Sequence, residues 1–252
     1  MKPAARLYVE APLAPGATIP LSEGQAHYLR SVLRLEPGRR VLLFNGREGE
    51  WLADLTELRK SGAAATTVSQ RRPQAPEPDL WLLFAPIKGD RVDYVAEKAT
   101  ELGASRLQPV MTRHTVVGRV NIERLRARAV EAAEQCERLS VPEVAAPRPL
   151  REVLEAWPAG RRLFACAEAG PARPFAEALA QAPRDAPSGL LVGPEGGFSP
   201  DELDLLRELA FVTPVGLGPR LLRADTAAIA ALALWQALAG DGDRRPPPRF
   251  EN

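Results

Sequence analysis

The spacing of hydrophobic and polar positions changes once along the chain. Up to about residue 70, short apolar stretches alternate with turn signals such as Pro37-Gly38 and Asn45-Gly46. Asn-Gly between two strand-like stretches is typical of a β-hairpin, and short strands with regular turns predict a small β-barrel. One short helix is expected near residues 24–35. The predicted strands cover residues 6–9, 40–44, 50–55 and 65–68.

From residue 80 onwards, strands and helices alternate. Alternation of this kind predicts an α/β fold, with a mostly parallel sheet and helices on both faces. The predicted strands cover residues 81–84, 107–111, 163–167 and 211–215; the helices cover 90–102, 121–139, 150–157, 175–181 and 225–239; and a strand, a turn and a helix follow one another at 189–210.

These patterns divide the chain into domains. Residues 71–79, RRPQAPEPD, are polar and rich in proline, which predicts a linker. We therefore expect one domain at residues 1–70 and a second at 80–240. The tail at 241–252 contains three successive prolines and is expected to be disordered.

The last predicted helix, at residues 225–239, is apolar nearly all round. A helix of this kind is normally buried on every side. Because its many alanines would let a second helix approach closely, the pattern fits a subunit interface as well as an internal core.

The most informative segment is residues 190–203, LLVGPEGGFSPDEL. A buried strand leads into a glycine-rich turn and then into a helix, for which Ser199 is a suitable N-cap and Glu202 completes a capping box. Such a turn lies at the carboxyl end of its strand, where open α/β sheets bind ligands. The turn contains Glu195 and no Lys or Arg, so a phosphate is disfavoured. A ligand that is neutral or cationic at its near end fits better, and S-adenosylmethionine, which carries a sulfonium and an ammonium group, is such a molecule.

A second glycine turn, at residues 216–219, follows the next predicted strand. If the two strands are adjacent, the two turns form two walls of one pocket. Arg220 and Arg223 come directly afterwards and could hold an RNA phosphate or a developing oxyanion. Alternatively, they form salt bridges with Glu195 or Asp201. Asp225 is expected to cap the last helix.

A basic segment lies in the predicted helix near residues 24–35. Helical spacing places His27, Arg30 and Arg34 on one face, which predicts contact with RNA phosphates, although a solvated charged face is the alternative. The same spacing turns Leu29, Val32 and Leu33 inward.

A second polar segment, Arg113-His114-Thr115, follows a predicted strand. A base or a substrate contact is possible there, although a lone histidine in a loop more often has neither role.

Composition narrows the class of protein. The hydrophobic fraction of 45% supports a core, and the net charge of +1 gives no global reason to propose nucleic acid. The chain has no signal-peptide pattern and no apolar run of about 18 residues, so we expect a cytoplasmic protein without a membrane span. Cys136 and Cys166 lie outside any CxxC motif, so two buried thiols are expected and no metal site.

Six segments follow one another along the chain: HYLRSVLR (27–34), KGDR (88–91), EKATELG (97–103), EAAEQC (131–136), GPEGGF (193–198) and LGPRLLRADTA (217–227). Together they resemble the bacterial small-subunit ribosomal RNA uracil-N3 methyltransferases, which belong to the SPOUT (trefoil-knot) class. One departure is visible, since the family commonly reads Leu-Arg-Thr-Glu-Thr-Ala where this chain has LRADTA at 222–227.

The resemblance implies a PUA-like RNA-binding barrel followed by a knotted α/β domain, and a homodimer formed through that second domain. It also implies that S-adenosylmethionine donates a methyl group to N3 of one uridine in 16S rRNA, within the small ribosomal subunit. Three loops would wrap the cofactor, at residues 165–170, 193–197 and 217–222. The implied cofactor-binding residues are Ala167, Glu168, Gly193, Pro194, Glu195, Gly197, Leu217, Gly218, Leu221 and Leu222.

For catalysis, Arg223 is the first candidate and Arg220 the second, because arginine can stabilise negative charge on a deprotonated uracil. The sequence leaves three alternative functions open. They are a nucleotide-phosphate enzyme, a non-catalytic dimeric RNA-binding module, and a ribose 2′-O methyltransferase of the same fold class.

Overall fold

The computed structural model describes residues 3–60, 62–167, 172–184 and 186–245. The chain divides into two units. The first comprises the residues up to Pro76 together with Val130–Val141, and the second comprises Glu77–Ala129 and the residues from Pro142 onwards. The sequence pattern had placed residues 130–141 in the second domain, whereas in the structure they group with the first unit.

The first unit is built on a five-stranded sheet in the order β1-β3-β4-β5-β2. Strands β1 and β3 are parallel, and the other neighbouring pairs are antiparallel. The hairpin expected at Asn45-Gly46 is confirmed, since Phe44 pairs with Glu50 across it. The elements are β1 (Arg6–Tyr8), β2 (Thr18–Leu21), α1 (Glu23–His27), a π-helical turn (Tyr28–Val32), β3 (Arg40–Phe44), β4 (Glu50–Arg59) and β5 (Gly62–Arg72).

Alternate residues of these strands, including Val41, Leu43, Ala63 and Ala65, enter one hydrophobic core. No ladder joins β1 to β2 in the described residues, so the expected barrel is seen as a sheet with two end strands. Strand β2 was not predicted, and its Pro20 explains why. Proline cannot donate to a ladder and is tolerated in an end strand such as this one.

A buried ion-pair network fastens the sheet of the first unit. The Glu50 carboxylate accepts hydrogen bonds from Arg6 Nε at 2.6 Å and from Arg72 Nε at 3.1 Å. The side chains of Arg6 and Glu50 are only 8% and 7% exposed. Burial lowers the pKa of Arg6, and the bond to Glu50 opposes that effect. A buried charge is tolerated when it is paired in this way.

The same arginines also hold residues 130–141 to the first unit. Arg6 donates to the carbonyl oxygens of Ala133 and Arg138, at 2.7 and 2.6 Å. Arg72 donates to the carbonyl oxygen of Glu137 at 2.7 Å. These contacts join side chains and backbone groups more than 60 positions apart, which is why a pattern of local hydrophobicity could not assign this segment to the first unit.

The second unit contains a parallel sheet in the order β11-β13-β10-β12-β6-β7-β8, with β9 beside β7. Its strands are β6 (Leu80–Phe84), β7 (Arg106–Met111), β8 (Glu143–Val144), β9 (Arg148–Pro149), β10 (Arg162–Cys166), β11 (Arg173–Pro174), β12 (Ser188–Val192) and β13 (Val212–Gly216). Its helices are α2 (Arg91–Glu101), α4 (Leu150–Glu155), α5 (Phe175–Ala180), α6 (Pro200–Glu208) and α7 (Ala224–Leu238), while α3 (Ile122–Gln135) contributes residues to both units.

Two separate hydrophobic cores cover the faces of this sheet. Leu82 and Phe84 of β6 pack with helices α2, α5 and α7, whereas Leu83 packs with α4 and α6. Since successive strand residues point to opposite faces, the helices lie on both sides of the sheet. The predicted α/β architecture is therefore confirmed, while the trefoil knot stays a prediction.

Helix α7 is buried on one face only. Leu232 and Trp235 are buried, whereas Ala233, Ala237 and Leu238 are exposed. The expectation of burial on every side is therefore wrong for the single chain, because the described residues leave one apolar face of the helix uncovered.

Candidate active site

The strand register brings the ends of several strands to one edge of the parallel sheet. Val192 at the end of β12 pairs with Phe84 of β6 and with Cys166 of β10, and Cys166 pairs with Val215 of β13. The loops that follow these strands therefore begin side by side. Open α/β sheets bind their ligands at this edge.

The two glycine turns are not immediate neighbours, which corrects one prediction. Strand β10 lies between β12 and β13, so the end of β10 separates the starts of the two turns. Sequence order cannot reveal an insertion of this kind, because β10 precedes both strands in the chain. The order of the strand ends, β12, β10 and β13, matches the three loops that the family resemblance implies.

The turn after β12 has the local structure that the sequence predicts. Ser199 accepts from the backbone N–H of Glu202, the Glu202 side chain accepts from the N–H of Ser199, and Pro200 begins α6. Gly197 adopts a φ of +70°, a backbone conformation that favours glycine. At Gly193 a Cβ atom would lie 2.9 Å from the Phe198 ring, so a larger residue would not fit without movement.

The loop after β7 is fastened to the same turn. The backbone N–H of Arg113 donates to Oε1 of Glu202 at 2.8 Å, while Oε2 of Glu202 accepts from Ser199. The ring atom Nδ1 of His114 lies 3.1 Å from the carbonyl oxygen of Gly197. One carboxylate therefore caps α6 and also holds the neighbouring loop in place.

A cavity of about 510 Å³ lies between the loops that follow β6, β7 and β12. Its size is within the range of small-molecule sites. Its lining includes the polar segment Arg113-His114-Thr115, for which the sequence allows a base or a substrate contact. The cavity is lined by Pro86, Ile87, Arg113, His114, Thr115, Val116, Pro194, Glu195 and Gly196.

Glu195 forms an ion pair with Arg91, and not with Arg220 or Arg223 as the sequence also allowed. Arg91 at the start of α2 donates to Oε1 of Glu195 at 2.5 Å. Arg220 and Arg223 are exposed, and within the described residues neither side chain has a hydrogen bond or an ion pair. Both guanidinium groups therefore remain available to an anionic ligand or to RNA.

The predicted cap of the last helix is wrong. Arg223, and not Asp225, occupies the N-cap position of α7, and it forms no side-chain capping bond. The Asp225 carboxylate instead accepts from the N–H of Thr226 at 2.8 Å. An acidic side chain in the first turn still favours the helix dipole.

The other predicted cofactor residues occupy the three loops. Ala167 is buried at the end of β10, while Glu168 lies outside the described residues. Leu217 and Leu222 pack partly against the core, but Leu221 is 86% exposed. The rest, Gly193, Pro194, Glu195 and Gly197 after β12 and Gly218 after β13, lie at the same sheet edge.

The cysteines also differ from expectation in one respect. Cys136 is exposed rather than buried. Burial raises the pKa of the Cys166 thiol to about 12, so this group beside Ala167 is a neutral thiol at neutral pH. In the described part of the chain, no group of three or more His, Cys, Asp or Glu residues could hold a metal.

The basic segment in the first unit does not form the continuous helix that was predicted. Helix α1 ends at His27, and a π-helical turn carries Arg30. Arg34 lies beyond that turn with a φ of +53°, so it cannot share a helical face with His27. The wider turn also leaves Val32 61% exposed instead of buried, whereas Leu29 is buried as expected.

Comparison with known proteins identifies the family. The description "RNA methyltransferase domain" matches residues 74–236, and "RNA methyltransferase PUA domain" matches residues 21–67. A ribosomal RNA small subunit methyltransferase E from Rickettsia conorii is 33% identical over 90% of this chain and 93% of its own length. Its counterpart in Synechocystis is 35% identical over 88% of this chain and 74% of its own length. The chain belongs to the ribosomal RNA small subunit methyltransferase E family.

Solved structures agree with membership of this methyltransferase family. The methyltransferase E of Neisseria gonorrhoeae, bound to S-adenosyl methionine, superposes with a TM-score of 0.84 at 30% identity, covering 94% of this chain and 99% of its own. A putative methyltransferase of Legionella pneumophila, in complex with the same cofactor, gives 0.82 at 30% identity, covering 96% and 100%. The separate sheet unit and the helix-covered parallel sheet are thus typical of the family.

Two contacts of the site in this methyltransferase were not predicted from the sequence. Arg91 pairs with Glu195, and Glu202 holds the backbone of Arg113. The motif KGDR contains Arg91, but nothing local indicates that its partner lies 104 positions away.

None of the helices in the described part of the chain is long and apolar enough to cross a membrane.

Proposed function

We propose that this protein transfers a methyl group from S-adenosylmethionine to N3 of a uridine in 16S rRNA, in the bacterial cytoplasm. The observation that carries the proposal is that β10, β12 and β13 all end at one edge of a sheet whose fold is that of a cofactor-bound methyltransferase E.

The residues of these loops fit the proposed cofactor. Residues 193–199 contain no Lys or Arg, so nothing in that turn repels a cationic sulfonium. Leu217 and Leu222 supply partly buried apolar surface, and Leu221 supplies exposed apolar surface, for an adenine ring. When bound, S-adenosylmethionine supplies an electrophilic methyl group.

Methylation of uracil at N3 requires the base to become negatively charged, and this site can stabilise that charge. N3 carries a proton and is a poor nucleophile until that proton leaves, after which negative charge spreads to O2 and O4. Arg223 and then Arg220 are our candidates to stabilise this charge, because both guanidinium groups lack a partner in the described residues.

The first unit is proposed to bind the RNA. It corresponds to the part that matches the PUA description, and it carries His27, Arg30 and Arg34. The π-helical turn separates these side chains from a single helical face, so we propose that they contact phosphates individually.

We also propose a homodimer through the second unit. The face of α7 that includes Ala233, Ala237 and Leu238 is apolar and uncovered. Its small side chains would let the same helix face of a second copy approach closely, and burying this area would remove apolar surface from water.

The proposal can be tested with labelled S-adenosylmethionine and small-subunit RNA that lacks its natural methyl groups. Label should enter RNA only in the presence of the protein, and calorimetry should detect binding of S-adenosylmethionine but not of ATP. Binding of ATP alone, with no labelled RNA, would instead support the nucleotide-phosphate alternative.

A further inference from the structure

The cavity beside the glycine turn adjoins the proposed cofactor loops, because one of them, the 193–197 turn, forms part of its wall. Pro194, Glu195 and Gly196 line it on the β12 side. In the sheet order, β6 and β7 lie on one side of β12, whereas β10 and β13 lie on the other. The 193–197 turn therefore borders both the cavity and the loops proposed to hold the methyl donor.

The hydrogen bond made by His114 fixes the position of its proton. Nδ1 lies 3.1 Å from the carbonyl oxygen of Gly197, and a carbonyl oxygen can only accept. The neutral ring must therefore carry its proton on Nδ1, which leaves Nε2 as an acceptor. Within the described residues, no donor to Nε2 is present.

The other polar side chains around His114 are either carboxylates that already have partners or a positively charged arginine. Glu195 is paired with Arg91, and the Glu202 carboxylate accepts from two backbone N–H groups. The Arg113 guanidinium has no hydrogen bond or ion pair in the described residues, although its backbone is held by Glu202. The cavity thus offers one neutral acceptor, one unpaired cation and apolar walls.

These groups complement a single flipped nucleotide. An unstacked base is commonly held by apolar contacts on its faces and by hydrogen bonds to its Watson–Crick edge, and arginine suits a phosphate. Of the Watson–Crick atoms of uracil, only N3–H is a donor, and it matches the acceptor at Nε2. A cytosine presents an unprotonated N3 at this position and has no such match.

We infer that the cavity receives the target uracil, that His114 Nε2 accepts the N3 proton, and that Arg113 binds the adjacent phosphate. This inference rests on the proposed function. The proton passes from N3 to Nε2, and N3 keeps the electron pair of the broken N–H bond. With that pair N3 bonds to the methyl carbon as the carbon–sulfur bond breaks. The sulfonium becomes a neutral thioether, and the imidazolium later releases its proton to water.

The test of His114 uses an isosteric substitution. In His114→Asn the side-chain amide can still donate to the Gly197 carbonyl, but the acceptor at Nε2 is lost. We expect kcat to fall by about 100-fold or more, which is the usual contribution of a positioned base. Binding of S-adenosylmethionine, measured by calorimetry, should be unchanged, and thermal denaturation checks that the variant is folded.

Chemical rescue separates proton transfer from a merely structural role. RNA with 5-fluorouridine at the target position has a more acidic N3–H, because fluorine withdraws electrons from the ring. The loss of kcat in His114→Asn should be at least tenfold smaller on this RNA than on normal RNA. An equal loss on both RNAs, or a kcat within twofold of the unsubstituted protein, would overturn the role of His114.

The role of Arg113 is tested by the salt dependence of RNA binding. Arg113→Gln should weaken RNA binding. The slope of log K against log salt should become shallower by about one, which corresponds to the loss of one phosphate contact. Arg151→Gln, which removes an exposed arginine on α4, is the matched control and should leave the slope unchanged. Equal slopes for both variants would refute the phosphate contact. Failure of the unsubstituted protein to form N3-methyluridine would instead refute the proposed function.

Discussion

The buried network around Glu50 gives a stability prediction that depends only on the first unit. Glu50→Gln keeps the shape of the side chain but leaves the guanidinium groups of Arg6 and Arg72 without a counter-charge. Arg72 is 20% exposed, and the other two side chains are less than half as exposed. Removing one partner of a buried pair costs about 3–5 kcal/mol.

This free-energy loss can be converted into an expected melting temperature. For a chain of roughly this size, one kcal/mol corresponds to about 2–4 °C, so the melting temperature should fall by roughly 6–20 °C. Scanning calorimetry measures that shift, and urea unfolding gives the free energy separately.

A matched control is available on the neighbouring strands. Arg40 and Asp54 also form an ion pair between β3 and β4, at 3.2 Å, but their side chains are 40% and 44% exposed. Asp54→Asn should cost less than about 1 kcal/mol, because solvent screens an exposed pair. If Glu50→Gln costs no more than Asp54→Asn, the reasoning about the buried network is refuted.

Three further outcomes are expected. Arg223→Ala should lower turnover by about 10²–10³-fold with little effect on cofactor binding, measured separately by kinetics and calorimetry; unchanged turnover would remove Arg223 from the mechanism. Replacing Arg30 and Arg34 by Gln should weaken RNA binding and flatten its salt dependence; the same affinity and slope would exclude this segment from the RNA site. Burial raises the pKa of Glu134, so the ionised carboxylate lowers the stability of the folded protein once the pH exceeds the pKa of this group in the unfolded chain. Glu134→Gln should therefore stabilise the protein more at neutral pH than at pH values near 4. Urea unfolding at both pH values measures the gain, and an equal gain at the two would contradict the prediction.

Local signals predicted local structure well. The capping box of Ser199 and Glu202 and the hairpin at Asn45-Gly46 depend on neighbouring residues, and the structure confirms both. The π-helical turn at Tyr28–Val32 was missed, because its sequence is also compatible with an ordinary α-helix.

Features that depend on distant residues could not be predicted. The insertion of β10 between β12 and β13 is a property of chain topology, and hydrophobic spacing contains no information about it. The pairing of Arg91 with Glu195 and the cavity beside His114 have the same origin, since each depends on loops that only the folded sheet brings together. The hydrophobic pattern predicted which strands end at the site, but not which of the loops after them line the same cavity.

The most direct test of the account is the identity of the modified nucleoside. Small-subunit RNA incubated with the protein and S-adenosylmethionine should be digested to nucleosides and analysed by mass spectrometry against synthetic standards. One new product, N3-methyluridine, is expected at a single position of the RNA. A ribose-methylated nucleoside, or no methylated product, would contradict it.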